Sequence, residues 1–196
     1  MSGADKPSAP PRGLVRLLPL ACVVSAVILG VSERMTTFQL VAGAQGNGAS
    51  LCNLEAAARH HYALAVLAAF AILAVIVAVL GASRPAAVAV PIAGLLALLL
   101  FGIVDLPKAN DVGSISGVCD LADLGLDAKA VPEAGFWLEM VGAVALTLSG
   151  AALAMLNSEQ LRALRPPWLG GASKKRRAQE ARTETGKDAR RAAKRT

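Results

Sequence analysis

Apolar residues in this chain come in long unbroken blocks rather than in alternation. Four such blocks, Leu14–Val31, Tyr62–Leu80, Ala86–Val104 and Phe136–Leu156, dominate the pattern, and each runs for 18 to 21 residues. At about 1.5 Å of rise per residue, a helix of that length crosses the roughly 30 Å hydrocarbon layer of a bilayer. The blocks predict transmembrane helices over 14–31, 62–82, 86–104 and 136–156. Between them fall a loop at 32–61, a tight turn at 83–85 and a second loop at 105–135, with tails at 1–13 and 157–196. The expected fold is an all-α membrane protein: a four-transmembrane-helix bundle with two extracytoplasmic loops and a disordered basic C-terminal tail.

Finer patterning adds local detail. Ala71, Ala74, Ala78 and Ala82 recur at helical spacing on one face of the second span, and Ala87 and Gly94 share a face of the third. Small residues of this kind let membrane helices approach closely. Thr36–Val41 is a short β-prone run, whereas Glu55–Arg59 favours helix, so the second transmembrane helix is expected to begin several residues before the apolar block. The turn at 83–85 is short enough to force spans two and three into an antiparallel hairpin.

Charge sets the expected orientation. Hydrophobic residues are 55% of the chain and charged ones 17%, and the charges are almost wholly excluded from the apolar blocks. Sixteen of the 20 basic residues lie in the two tails, the start of the first span and the 83–85 turn, against four in the two long loops. The loops instead carry eight of the 14 acids, and a ninth, Glu139, lies near the outer end of the fourth span. Short basic segments stay on the cytoplasmic side, which predicts a multi-pass plasma-membrane protein with both termini cytoplasmic. A basic leader before the first span also suits a secretory signal peptide, but no small-x-small cleavage site follows closely, so an uncleaved anchor is expected.

Past residue 170 the chain has no aromatic or large aliphatic residue. Lys174, Lys175, Arg176 and Arg177 make the densest basic run there and are candidate contacts for anionic lipid headgroups. Nucleic-acid binding is disfavoured, because no aromatic side chain interleaves these charges to stack on bases.

Candidate chemistry is sparse. Cys52 and Cys119 fall one in each long loop, in a compartment that permits a disulfide, and form the candidate bridge; Cys22, inside the first span, reads as a packing residue. Glu139 lies about one turn inside the last block on a face shared with Gly142, Leu146, Ser149, Gly150 and Leu153, which aims it into the bundle. Asp105 lies on the face that carries Gly94, and His60 lies on the alanine face of helix two. Glu139, Asp105 and His60 or His61, with Arg34 or Arg59 as cationic partners, are therefore a candidate polar cluster at the outer mouth. Neighbouring histidines on a helix point about 100° apart, and no His-x-x-x-His is present, so ion pairing is preferred to a metal centre. Asp120, Asp123 and Asp127 read as solvated carboxylates.

These observations exclude more than they assign. The chain has no Gly-x-Ser-x-Gly elbow, no phosphate-cradling Gly-x-x-x-x-Gly-Lys and no Cys-x-x-Cys, so neither enzymatic activity nor a cofactor is expected. Near the span midplanes only Ser25, Thr147 and Ser149 are polar. The gross plan is shared with claudin-like and tetraspan-like proteins, but the first loop lacks the Trp and paired Cys of the former and the Cys-Cys-Gly of the latter. The expected role is a structural or interaction protein, a scaffold or accessory, whose partners are the lipid bilayer and a membrane protein or second copy. The alternative is a small transporter or channel subunit acting as an oligomer.

Overall fold

The computed structural model describes residues 12–42, 50–109, 112–114 and 127–165. Four long helices dominate it: α1 Arg12–Ser32, α3 Ala63–Gly81, α4 Arg84–Leu100 and α5 Ala134–Ala154. A π turn at Phe101–Asp105 and a 3-10 turn at Leu106–Lys108 continue α4. All four spans are long and apolar enough to cross a membrane, which makes this a multi-pass membrane protein. Each helix packs on two others in the ring α1, α3, α4, α5. Two further short helices occur among the described residues: α2 Ala56–His60 and α6 Ser158–Ala163, the latter opened by an Asn157–Gln160 capping box.

Side-chain size is distributed inside out. Cys22, Ala26, Ala71, Ala78, Ala87, Ala97 and Ala143 are fully buried between the helices, while Val66, Phe70, Leu73, Leu99, Ile103 and Leu148 face outward, half exposed or more. Lipid is as apolar as leucine, so burying large aliphatic residues gains little; close backbone approach gains dispersion contacts instead. Ala71, Ala74 and Ala78 occupy the buried face of α3 and Ala87 that of α4, with Ala82 partly covered.

Glycines mark the tightest crossings. A Cβ on Gly94 would fall 2.7 Å from the Thr147 nitrogen, and one on Gly150 would fall 2.7 Å from the Pro91 nitrogen, so α4 and α5 touch backbone to backbone at two levels. Gly142 approaches Leu29 of α1 similarly, at 3.1 Å. By contrast a Cβ on Gly102 would meet nothing within 4 Å.

Both long loops contribute to a four-stranded antiparallel sheet, which corrects the all-α expectation. Its strands are β1 Thr36–Ala42, β2 Ser50–Glu55, β3 Val112–Ser114 and β4 Asp127–Pro132, in the spatial order β2-β1-β4-β3. Phe38 faces Pro132 and Leu40 faces Ala130 on one side of β1, while Leu40 faces Cys52 on the other. The β-prone run at Thr36–Val41 is therefore the central template. Its far partner, Asp-Ala-Lys-Ala-Val-Pro, has little strand propensity of its own and is held by pairing.

A second correction concerns the start of helix two. Strand β2 runs to Glu55, α2 ends at His60, and His61 and Tyr62 adopt left-handed conformations with φ of 50° and 64° before α3 begins. Two consecutive non-glycine residues in that region are strained and need surrounding structure to hold them. Glu33, 1% exposed, supplies part of it: its Oε1 accepts a hydrogen bond from the Leu64 amide at 2.8 Å, and its carbonyl accepts one from the Ala57 amide at 3.0 Å. The end of α1 thus fixes both sides of the break.

The sheet sits on the bundle through aromatic rings. Phe38 of β1, Phe101 of the π turn and Phe136 of α5 form one cluster with Ala130, and Phe136 is 5.5 Å from Phe38 and 4.9 Å from Phe101 between ring centroids. Gly135 lets α5 start directly against β1, because a Cβ there would fall 2.6 Å from the Thr36 carbonyl oxygen.

Replacing Gly94 or Gly150 with Ala is expected to destabilise the bundle by roughly 1–3 kcal/mol, the usual cost of overpacking. Gly102→Ala should leave stability within about 0.5 kcal/mol. Thermal unfolding of the purified variants in detergent checks the contrast, and equal effects at all three sites would contradict the assigned crossings.

Candidate functional site

Three buried ionisable side chains converge at the sheet end of the bundle. His60 closes α2, Asp105 closes the π turn, and Glu139 lies in the second turn of α5; the side chains of all three are fully buried. His60 Nε2 lies 2.6 Å from Asp105 Oδ2 and 3.6 Å from Glu139 Oε1. Arg59 Nη1 is 2.8 Å from Asp105 Oδ1, and its Nη2 donates to the Val104 carbonyl at 2.8 Å. The guanidinium also sits 4.8 Å above the Phe38 ring, so one side chain ties the sheet to both the ion cluster and the end of α4.

The backbone explains which residues take part. His60 and His61 are neighbours, but the left-handed break between α2 and α3 buries His60 and leaves His61 exposed. His61 is therefore not brought to the cluster. Just beyond it, the exposed Tyr62 ring lies 5.8 Å from the Arg34 guanidinium. The π turn carries Asp105 to the buried side of its strand of chain while leaving Ile103 67% exposed. Such turns are rare and frequent at functional positions. Glu139 shares its buried face with Gly142, Ala143, Leu146, Gly150 and Leu153.

Electrostatically the group balances when His60 is protonated: Arg59 and His60 oppose Asp105 and Glu139. Burial alone would depress the imidazole, but the Asp105 contact, and then that of Glu139, outweigh it and push the His60 pKa up to about 9. Satisfaction is incomplete. No donor among the described residues reaches Glu139 Oε2 or Glu33 Oε2, and His60 Nδ1 and Thr37 Oγ1 are also buried without a hydrogen-bond partner. His60, Asp105 and Glu139 each offer a ligand atom, and these atoms lie within 4.8 Å of one another.

Cys52 lies on β2 opposite Leu40, while Cys119, Asp120, Asp123, Lys174, Lys175, Arg176 and Arg177 lie outside the described residues. Of the two arginines that sequence offered as cationic partners, Arg59 joins the cluster, whereas Arg34 lies against Tyr62. Sequence reasoning passed over Glu33 as an organising residue; the available signal was an acid directly after an apolar span. Buried Cys22 packs in the bundle core.

Comparison with protein-family models, curated proteins and solved structures finds no match. The fold and site thus define a class only: a four-helix multi-pass membrane protein with a sheet cap and a buried ionic cluster beneath it.

Because the folded-state pKa of His60 is raised above its ordinary value near 6.5, its contribution to stability is fully present below that value. It is lost as pH rises through about 9. Unfolding followed between pH 6 and 10 in chelator-containing buffer should show this decline in the native protein and a flatter profile in His60→Gln. A native protein with no loss of stability across that interval would refute the assignment.

Proposed function

We propose that this protein is a four-pass scaffold or accessory protein of the plasma membrane, with both termini cytoplasmic. Its sheet cap would face out of the cell and dock a membrane-protein partner or a second copy. The observation that carries this reading is the joining of both long loops into one sheet seated on the bundle by Phe38, Phe101 and Phe136. Such a cap is a preorganised surface, and β2 lies at its edge among the described residues. The concentration of basic residues on the opposite side supports the orientation. The run Lys174–Arg177 would rest on anionic headgroups.

The channel or transporter alternative draws less support from the structure. Ser25, Thr147 and Ser149 return their hydroxyl hydrogen bonds to Ala21, Ala143 and Ala145 of their own helices. These groups are spent locally rather than offered to a permeating solute.

Two measurements test the proposal. A photo-crosslinking residue at exposed Asn53 on β2 should give discrete cross-linked products in native membranes, whereas one at lipid-facing Leu148 should not. The same protein in liposomes should show background conductance and uptake; selective solute flux would overturn the scaffold reading.

A Cys52–Cys119 bridge belongs to the same proposal, since it would tie the edge strand to the β3–β4 connection. Peptide mapping under non-reducing conditions should recover the linked pair, and reduction should lower the unfolding temperature. Two free thiols would remove the bridge.

A further inference from the structure

We infer that His60, Asp105 and Glu139 form a binding site for one divalent transition-metal ion of the zinc class, with His60 Nε2 and one oxygen from each carboxylate as ligands. This site is independent of the scaffold reading and would stand if that reading failed.

Geometry makes the first argument. The three donors come from three separate elements and still lie within 4.8 Å of one another, each fully buried. In a tetrahedral site with bonds near 2.0 Å, ligand atoms stand about 3.3 Å apart. The separation of 3.6 Å between His60 Nε2 and Glu139 Oε1 is already close to that. The contact of 2.6 Å between His60 Nε2 and Asp105 Oδ2 is shorter; it is an ion pair without hydrogen-bond alignment and would open by about 0.7 Å around a metal.

Unmet valence makes the second argument. Glu139 is a fully buried carboxylate whose Oε2 meets no donor among the described residues and whose Oε1 is beyond hydrogen-bond length from His60. A buried carboxylate in that condition calls for a cation. The flanking residues suit a metal ligand set. Arg59 occupies the other oxygen of Asp105 at 2.8 Å and orients it, as outer-shell partners of ligating carboxylates do.

Donor chemistry makes the third. One imidazole nitrogen with two carboxylate oxygens favours zinc or a neighbouring transition metal over magnesium or calcium, which take oxygen alone. The metal takes the lone pair of His60 Nε2, so binding to the protonated imidazole releases one proton, and a fourth coordination position remains for water.

The test uses the purified full chain in detergent, stripped with chelator and then titrated with Zn²⁺ alone at pH 8. About one Zn²⁺ per chain should be retained after desalting, the unfolding temperature should rise with Zn²⁺ but not with Mg²⁺ or Ca²⁺, and Glu139→Gln should weaken binding at least tenfold. His61→Ala should bind as the native protein does. Should Glu139→Gln fail to fold, Co²⁺ added to the native protein provides the second readout, with the intense visible absorption of a four-coordinate site expected. Zn²⁺ retention below a tenth of one equivalent, retention unchanged in a folded Glu139→Gln, or a Co²⁺ spectrum matching the hydrated ion would overturn the inference.

Discussion

The cost of placing carboxylates in an apolar interior governs this structure. Asp105 and Glu139 are fully buried at one end of a bundle whose remaining interior is almost wholly hydrocarbon. An isolated ionised carboxylate is intolerable there, so cations must be delivered from elsewhere in the chain. Short helix α2 delivers them: its last two residues, Arg59 and His60, reach Asp105 at 2.8 and 2.6 Å. The left-handed pair His61–Tyr62 is the backbone strain that accompanies this placement, and Glu33 is the clasp that holds it.

Lipid as solvent accounts for the rest of the bundle. Helices that gain little from burying large side chains in a lipid surround are held by contact at glycine and alanine; Gly94 and Gly150 bring backbones within a distance a Cβ would not permit, and Gly142 makes a slightly looser approach. Many large aliphatic side chains turn outward, and Leu29, Leu64, Leu146 and Leu153 are the exceptions that fill the core. Trp137 and Tyr62, both about half exposed, flank the level of the ionic cluster, where ring side chains suit a boundary between water and hydrocarbon.

Arg59 couples cap and bundle. It stacks on Phe38 of the sheet, pairs with Asp105 and donates to Val104, so any change of charge at the cluster is felt by the strand that organises the sheet. Phe136 makes the same connection through apolar contact, touching both Phe38 and Phe101. A charge network and an aromatic wedge together fix the cap on the bundle.

The four spans, their antiparallel hairpin, the small-residue faces and the inward aim of Glu139 were legible from sequence, because each follows from local period or from the length of an apolar run. Strand β1 was legible too, from its β-branched and aromatic residues. Strand β4 was not, since Asp127–Pro132 becomes a strand only beside β1, some ninety residues earlier in the chain. Nor could periodicity decide between His60 and His61, because a helix break at non-glycine residues leaves no mark in the local pattern. Sequence by itself determined where apolar surface had to meet lipid, for that depends on composition and length alone. Only the tertiary structure decided which charges share one desolvated space, because that depends on distances between segments that the order of residues does not encode.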